Sequence, residues 1–143
     1  MRITVPLQII DLNGDGYHPL LTIKIFGKPF TVVLDTGASK TAFDKILLLK
    51  ANKKALINNS DILSTGLGTN SMQSFTATIT DMRIGRLKLP EFQVAVLDLS
   101  TINIAYEQMG HPQVLGVLGG DILMKYNAVI DYGKKMIKFK DLV

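Results

Sequence analysis

The chain has 143 residues, 47% of them hydrophobic and 20% charged, with a formal net charge of +4. That is room for one packed domain, and too little charge for wholesale disorder. It has no cysteine and only two histidines, His18 and His111, which excludes disulfides, thiolate catalysis and cysteine-based metal sites and nearly excludes a zinc site built on several histidines. The lysines at 50, 53 and 54 and at 134, 135, 138 and 140 read as solvated faces, without the arginine and aromatic interleaving of a nucleic-acid surface.

In chain order, Ile3, Val5, Leu7 and Ile9 alternate with Arg2, Thr4, Pro6 and Gln8, the period of one strand. This N-terminus lacks the unbroken apolar core of a signal peptide, and no run is long enough to span a membrane. The expectation is a cytoplasmic protein with no membrane partner. Asn13-Gly14-Asp15-Gly16 predicts a hairpin turn, followed by a return strand carrying Leu21, Ile23 and Ile25. Gly27-Lys28-Pro29 turns the chain into Phe30–Leu34, an apolar run suited to a buried strand. A helix is predicted from Thr41 to about Leu49, buried through Phe43, Ile46, Leu47 and Leu49. Residues 50–61 read as loop, and Ser64–Ser71 is Gly-rich and polar. Strands follow around Phe75–Ile79, between Gly85 and Pro90, and at Phe92–Leu97. A short helix is predicted over Thr101–Met109, then an apolar run, Val114–Leu118, ending at Gly119-Gly120. Asp121 is the expected N-cap of a helix over Ile122–Tyr126. Ala128–Ile130 and Met136–Phe139 flank a closing hairpin. Short strands at close spacing predict a mostly-β barrel or sandwich in a single domain, 1–143.

Several motifs weigh little. Asp11-Leu12-Asn13-Gly14-Asp15-Gly16 copies the start of a calcium loop, but its twelfth position is Thr22 rather than a bidentate acid, so a plain hairpin turn is the better reading. His18 and His111 have no serine or acid at a nucleophile spacing and read as surface or packing residues. Gly116-Val117-Leu118-Gly119-Gly120 lacks the lysine of a phosphate loop.

The stretch Val33-Leu34-Asp35-Thr36-Gly37-Ala38-Ser39 is different. An apolar strand runs straight into Asp-Thr-Gly and then small residues. Such a strand delivers a carboxylate to the floor of a cleft. The Thr36 hydroxyl can fix the loop, Gly37 permits a backbone conformation other residues resist, and Ala38 and Ser39 leave room for a substrate chain.

With these residues the sequence resembles the retropepsin-like aspartic proteases, of the single-domain cellular and bacterial type. The resemblance rests on the Leu34–Ser39 loop, on the apolar-apolar-Gly motif Val117-Leu118-Gly119 followed by Gly120-Asp121, and on the Gly-rich stretch from Gly66 to Ser71. It covers roughly residues 17–140. It implies a mostly-β, closed acid-protease barrel with one or two short helices. It also implies catalysis by Asp35, an active-site loop of Thr36, Gly37, Ala38 and Ser39, and a glycine motif at Val117–Gly119 that supports the loop. Gly66, Leu67, Gly68, Thr69 and Asn70 stand where the family carries its substrate-binding flap. No metal or organic cofactor is implied. Retroviral members commonly carry arginine after the second glycine motif; here the residue is Gly120, and the tail is longer.

Chemistry of this type needs two carboxylates, and one DTG is present. Ile130-Asp131-Tyr132-Gly133 has a D-x-G outline, but Tyr132 cannot replace a compact threonine and too little chain follows to build a second lobe. Asp121 sits at the expected helix start. The second acid is therefore expected from another copy of the chain, Asp35 meeting its symmetry mate. The expected activity is a homodimeric aspartic endopeptidase acting on peptide or protein, with no nucleic acid partner. A non-catalytic dimeric peptide-binding module on the same fold is the alternative.

Overall fold

The computed structural model describes residues 2–53, 57–59 and 75–142. The elements in order are β1 (Arg2–Pro6), β2 (Gln8–Asp11), β3 (Tyr17–Ile25), β4 (Lys28–Leu34), β5 (Ala42–Asp44), α1 (Lys45–Ala51), β6 (Ile57–Asn59), β7 (Phe75–Ile79), β8 (Met82–Ile84), β9 (Leu87–Leu89), β10 (Phe92–Leu97), α2 (Ser100–Gln108), β11 (Gly116–Leu118), α3 (Gly120–Lys125), β12 (Val129–Asp131) and β13 (Met136–Lys140).

The large sheet runs β6-β7-β10-β5-β11-β4-β3-β8-β9, with β2 added against β3. Its two ends meet in one core. Ala77, Val94 and Val96 from one end pack in the same cluster as Met82, Ile84, Leu87 and Leu89 from the other, so the mostly-β chain, expected as a barrel, curls its large sheet into a half-barrel. A second sheet, β1-β13-β12, seals it through Ile3, Val5, Ile137 and Phe139. Among the described residues no helix is long and apolar enough to cross a membrane.

Four expectations change. The N-terminal alternation is two strands in two sheets, not one. Burial runs Ile3, Val5, Leu7 and then Ile10, so its parity shifts after Leu7, whose N–H donates to Lys135 O at 2.9 Å as the chain changes sheet. The helix expected from Thr41 starts only at Lys45. Ala42–Asp44 is instead a strand held between β10 and β11, tertiary pairing overriding local propensity. On α1 the fully buried residue is Leu48, whereas Ile46 is 54% exposed. The predicted loop over 50–61 contains β6, and the described residues hold three short helices rather than one or two.

One residue ties both early helices to the sheet. Asp44, 3% exposed, accepts from Leu47 N at 3.0 Å as the N-cap of α1 and from Leu99 N at 2.8 Å at the entry to α2. Asp44→Ala leaves both donors without this partner. It is expected to cost about 2–3 kcal/mol, read as a lowered denaturant midpoint at unchanged slope.

The β2–β3 turn behaves as a hairpin. Asn13 and Gly14 both have positive φ, and Gly14 N donates to Asp11 Oδ1 at 2.9 Å. Both histidines are packing residues, as expected. His18 Nδ1 hydrogen-bonds the Tyr106 hydroxyl, and the His111 ring meets the Tyr106 ring edge-on while its Nε2 lies 3.3 Å from Asp11 O. Together they fasten α2 to the hairpin. Burial pushes the Tyr106 hydroxyl above its usual range and keeps it neutral.

Candidate active site

Asp35 stands directly after β4, and the position of β11 explains why it is held there. β4 and β5 are joined by the 35–41 loop, yet they do not pair with each other. β11 lies between them, parallel to β4 (Val117↔Val33, Leu118↔Leu34) and antiparallel to β5 (Gly116↔Phe43, Val117↔Ala42). The loop therefore bridges over the end of β11.

That crossing is tight enough to require glycine. A Cβ on Gly116 would lie 1.9 Å from Ala42 O, and one on Gly119 would lie 2.6 Å from both Lys40 C and Lys40 O. The expected glycine motif Val117-Leu118-Gly119 thus passes against the backbone of the loop that follows Asp35.

A ladder of hydrogen bonds joins the two segments. Asp35 N donates to Leu118 O at 3.1 Å, Gly120 N to Ala38 O at 2.7 Å and Asp121 N to Ser39 O at 3.1 Å. Within the loop, Ala38 N donates to Asp35 O at 3.2 Å and Gly37 N to Asp35 Oδ1 at 3.0 Å. Asp35 and Ala38 are half-buried, while Thr36, Gly37 and Ser39 are exposed.

Two roles differ from expectation. Gly37 is not in the left-handed region. Its N–H serves the aspartate, and a Cβ there would come within 3.3 Å of Asp35 Oδ1. The exposed Thr36 hydroxyl is not what fixes the loop among the described residues. That hydroxyl belongs to Thr41, which is fully buried, donates to Asp121 Oδ1 at 2.8 Å and accepts from Gly119 N at 3.0 Å.

Asp121 is also reassigned. The N-cap of α3 is Gly119. The Asp121 carboxylate instead receives Thr41 N at 3.0 Å on each oxygen and Ile122 N at 2.8 Å. In the sequence Thr41 carries one signal only, a small polar residue ahead of the apolar Ala42-Phe43. Asp121→Ala should cost about 3 kcal/mol, because it strands donors around a buried hydroxyl. Its melting temperature should fall by about 10 °C, against much less for Asp131→Ala, whose carboxylate holds only the exposed turn through Lys134 N at 2.9 Å.

The expected flap, Gly66–Asn70 with Ser71, lies outside the described residues.

Among curated protein sequences none matches this one. Solved structures resemble it across most of their length. A retropepsin-like aspartic protease from Rickettsia conorii aligns with a TM-score of 0.56 at 18% identity, covering 97% of this chain and 88% of that one. The EIAV protease, complexed with the inhibitor HBY-793, aligns with a TM-score of 0.56 at 19% identity, covering 81% and 93%. The retroviral protease-like domain of Ddi1 from Leishmania major gives 0.52 at 12% identity, covering 79% and 80%. These likenesses establish a retropepsin-like fold. The model of the aspartyl protease family matches residues 21–122, from β3 through the Asp35 loop and the Val117–Gly119 strand to the start of α3, and the chain belongs to that family.

Proposed function

We propose that the protein is an aspartic endopeptidase, one domain over residues 1–143, that works as a homodimer with Asp35 contributed by each subunit. The observation that carries this reading is a half-buried aspartate held by the β11 ladder, in a chain whose other two candidates are already engaged. The Asp121 carboxylate is taken up by Thr41 and Ile122, and that of Asp131 by a turn in the other sheet. The exposed Thr36, Gly37 and Ser39 leave the Asp35 loop open for a second copy to approach.

Two carboxylates about 3 Å apart cannot both ionise comfortably and hold one proton between them. The ionised member takes a proton from a bound water. The protonated member donates to the oxygen of the scissile carbonyl as the water attacks. The tetrahedral intermediate then collapses with proton transfer to the leaving amine, and no covalent enzyme intermediate forms. Gly37, through its N–H to Asp35 Oδ1, and the buried Thr41 hold the loop, and residues 66–70 act as the flap over an extended peptide bound largely through its backbone.

Purified protein should cut a random peptide pool at moderately acidic pH, and Asp35→Asn protein at the same concentration should not. Equal cutting by both would sink the proposal.

A further inference from the structure

The sheet β1-β13-β12 seals the core with one face and leaves the other bare. Register sets the outer face: Arg2 lies opposite Lys140, Thr4 opposite Lys138 and Pro6 opposite Met136, while Val129 and Asp131 of β12 flank Lys138 and Met136. Partners in register share a face. The residues between them, Ile3, Val5, Ile137 and Phe139, point the other way and are 7% exposed or less. On the outer face Arg2, Thr4, Pro6, Val129 and Lys140 are exposed.

The charge on this face is one-sided. Arg2 and Lys140 stand directly across from each other, an arrangement of like charges that destabilises a sheet, and Lys138 is the next side chain along the same face. Asp131 is the one acid among these register partners, and its Oδ1 accepts Lys134 N at 2.9 Å in the β12–β13 turn. Asp141 lies beside Tyr126, whose hydroxyl is pushed above its usual range by burial first and then by the Asp141 charge. Lys134 and Lys135 add two exposed cations at the turn that ends the sheet. Apolar side chains are interleaved with the basic ones. Pro6, Met136 and Val129 share the plane, and Tyr132 in the turn is 57% exposed.

Flatness decides what such a face fits. Three strands offer a peptide no groove, and the face lacks the aromatic platforms on which nucleic-acid bases stack. Its charge repels a second copy laid face to face. A bilayer with anionic headgroups is flat, negative at its surface and apolar just beneath, which matches basic and apolar side chains set in one plane. We propose that the outer face of β1-β13-β12 docks the protein on an anionic lipid surface, with Arg2, Lys138 and Lys140 on the headgroups and Val129 and Tyr132 reaching below them. Contact with a bilayer surface needs no spanning helix, and no described helix could serve as one. The docking departs from the expectation of no membrane partner and does not depend on the peptidase reading.

The test is flotation of the purified protein with vesicles of phosphatidylcholine alone, or with about one third phosphatidylserine. Wild type should bind the anionic vesicles at least about tenfold more tightly than the neutral ones, and molar salt should release it. Lys138→Glu/Lys140→Glu should weaken that binding by about thirtyfold or more, because each basic side chain at an anionic surface is worth a factor of about five. The double variant should stay folded, since Lys140→Glu sets an acid opposite Arg2; its melting temperature verifies this. Lys24→Glu/Lys88→Glu makes the same change in net charge at exposed positions of the large sheet, both in register with Arg83, and should bind like wild type.

Equal losses in the two double variants would mean that net charge and not this face is responsible, and would overturn the proposal. Equal binding to neutral and anionic vesicles, or none to either, overturns it as well. Retention by soluble poly-glutamate or an RNA oligonucleotide with no binding to anionic vesicles would take the face away from lipid.

Discussion

Mixing wild-type protein with an equal amount of Asp35→Asn protein should lower peptidase activity to about half of what the wild-type subunits give alone, once subunits have exchanged. The Asn protein alone should be down at least about a thousandfold. Two chains that each supply one carboxylate form three dimers at random, and about a quarter of them keep both acids. Raising the Asn protein to a nine-fold excess should leave about a tenth of the original activity, because activity then follows the wild-type fraction. An enzyme that found its second acid within one chain would show no such loss. Asp35→Asn suits the test because an amide oxygen can still accept the Gly37 N–H that Asp35 Oδ1 receives at 3.0 Å, so the loop keeps its shape. Exchange is verified by native mass spectrometry of differently labelled subunits. Undiminished activity in a fully exchanged mixture would remove the shared dyad.

Part of this fold is legible in the sequence and part is not. The Asp35 loop was legible because strand, aspartate, small residues and a later glycine motif occur in a characteristic order, and that order survives at under 20% identity to the solved relatives. The hairpins were legible because their turns need particular residues, as Asn13 and Gly14 do with their positive φ. What stayed hidden depends on partners distant in sequence. Ala42–Asp44 reads as the first turn of a helix and becomes a strand because β10 and β11 present open edges to it. Thr41 and Asp121 look unremarkable apart, eighty positions apart in the chain, and matter because the crossing of β11 brings them together. The parity shift after Leu7 lies at the pair Ile9-Ile10, but only the pairing of β2 with β3 and the packing of α2 over it decide that Ile10 is the buried one.

Gly119→Ala and Gly116→Ala should be the most damaging single substitutions outside Asp35, and Gly120→Ala the mildest of the three. The difference follows from what an added methyl would meet. At Gly116 it would lie 1.9 Å from Ala42 O, 2.8 Å from Phe43 Cα and 2.9 Å from Ala42 C, all of them backbone. No rotamer change relieves that contact, so β5 and β11 must part and their ladder is lost. The expected cost is about 4–5 kcal/mol or more, enough to deplete folded protein at ordinary temperature. At Gly119 the methyl would meet Lys40 C and O at 2.6 Å and Ala38 O at 2.9 Å. Relief there means lifting the 38–40 backbone, which carries the acceptors for Gly120 N and Asp121 N and so sets the position of Asp35. Gly119→Ala should therefore lose activity by about a hundredfold or more even in the fraction that stays folded, since a misplacement near 1 Å suffices for that. Gly120 is the first residue of α3, and a methyl there meets nothing nearer than Ala38 O at 3.4 Å. Alanine also favours the helix by up to about 1 kcal/mol over glycine, so Gly120→Ala should be neutral or stabilising. Denaturant titration and peptidase assays on the three proteins check the order. Equal tolerance of alanine at all three positions would mean that β11 does not pass beneath the Asp35 loop as described, and the route by which the Val117–Gly119 strand supports the aspartate would have to be abandoned.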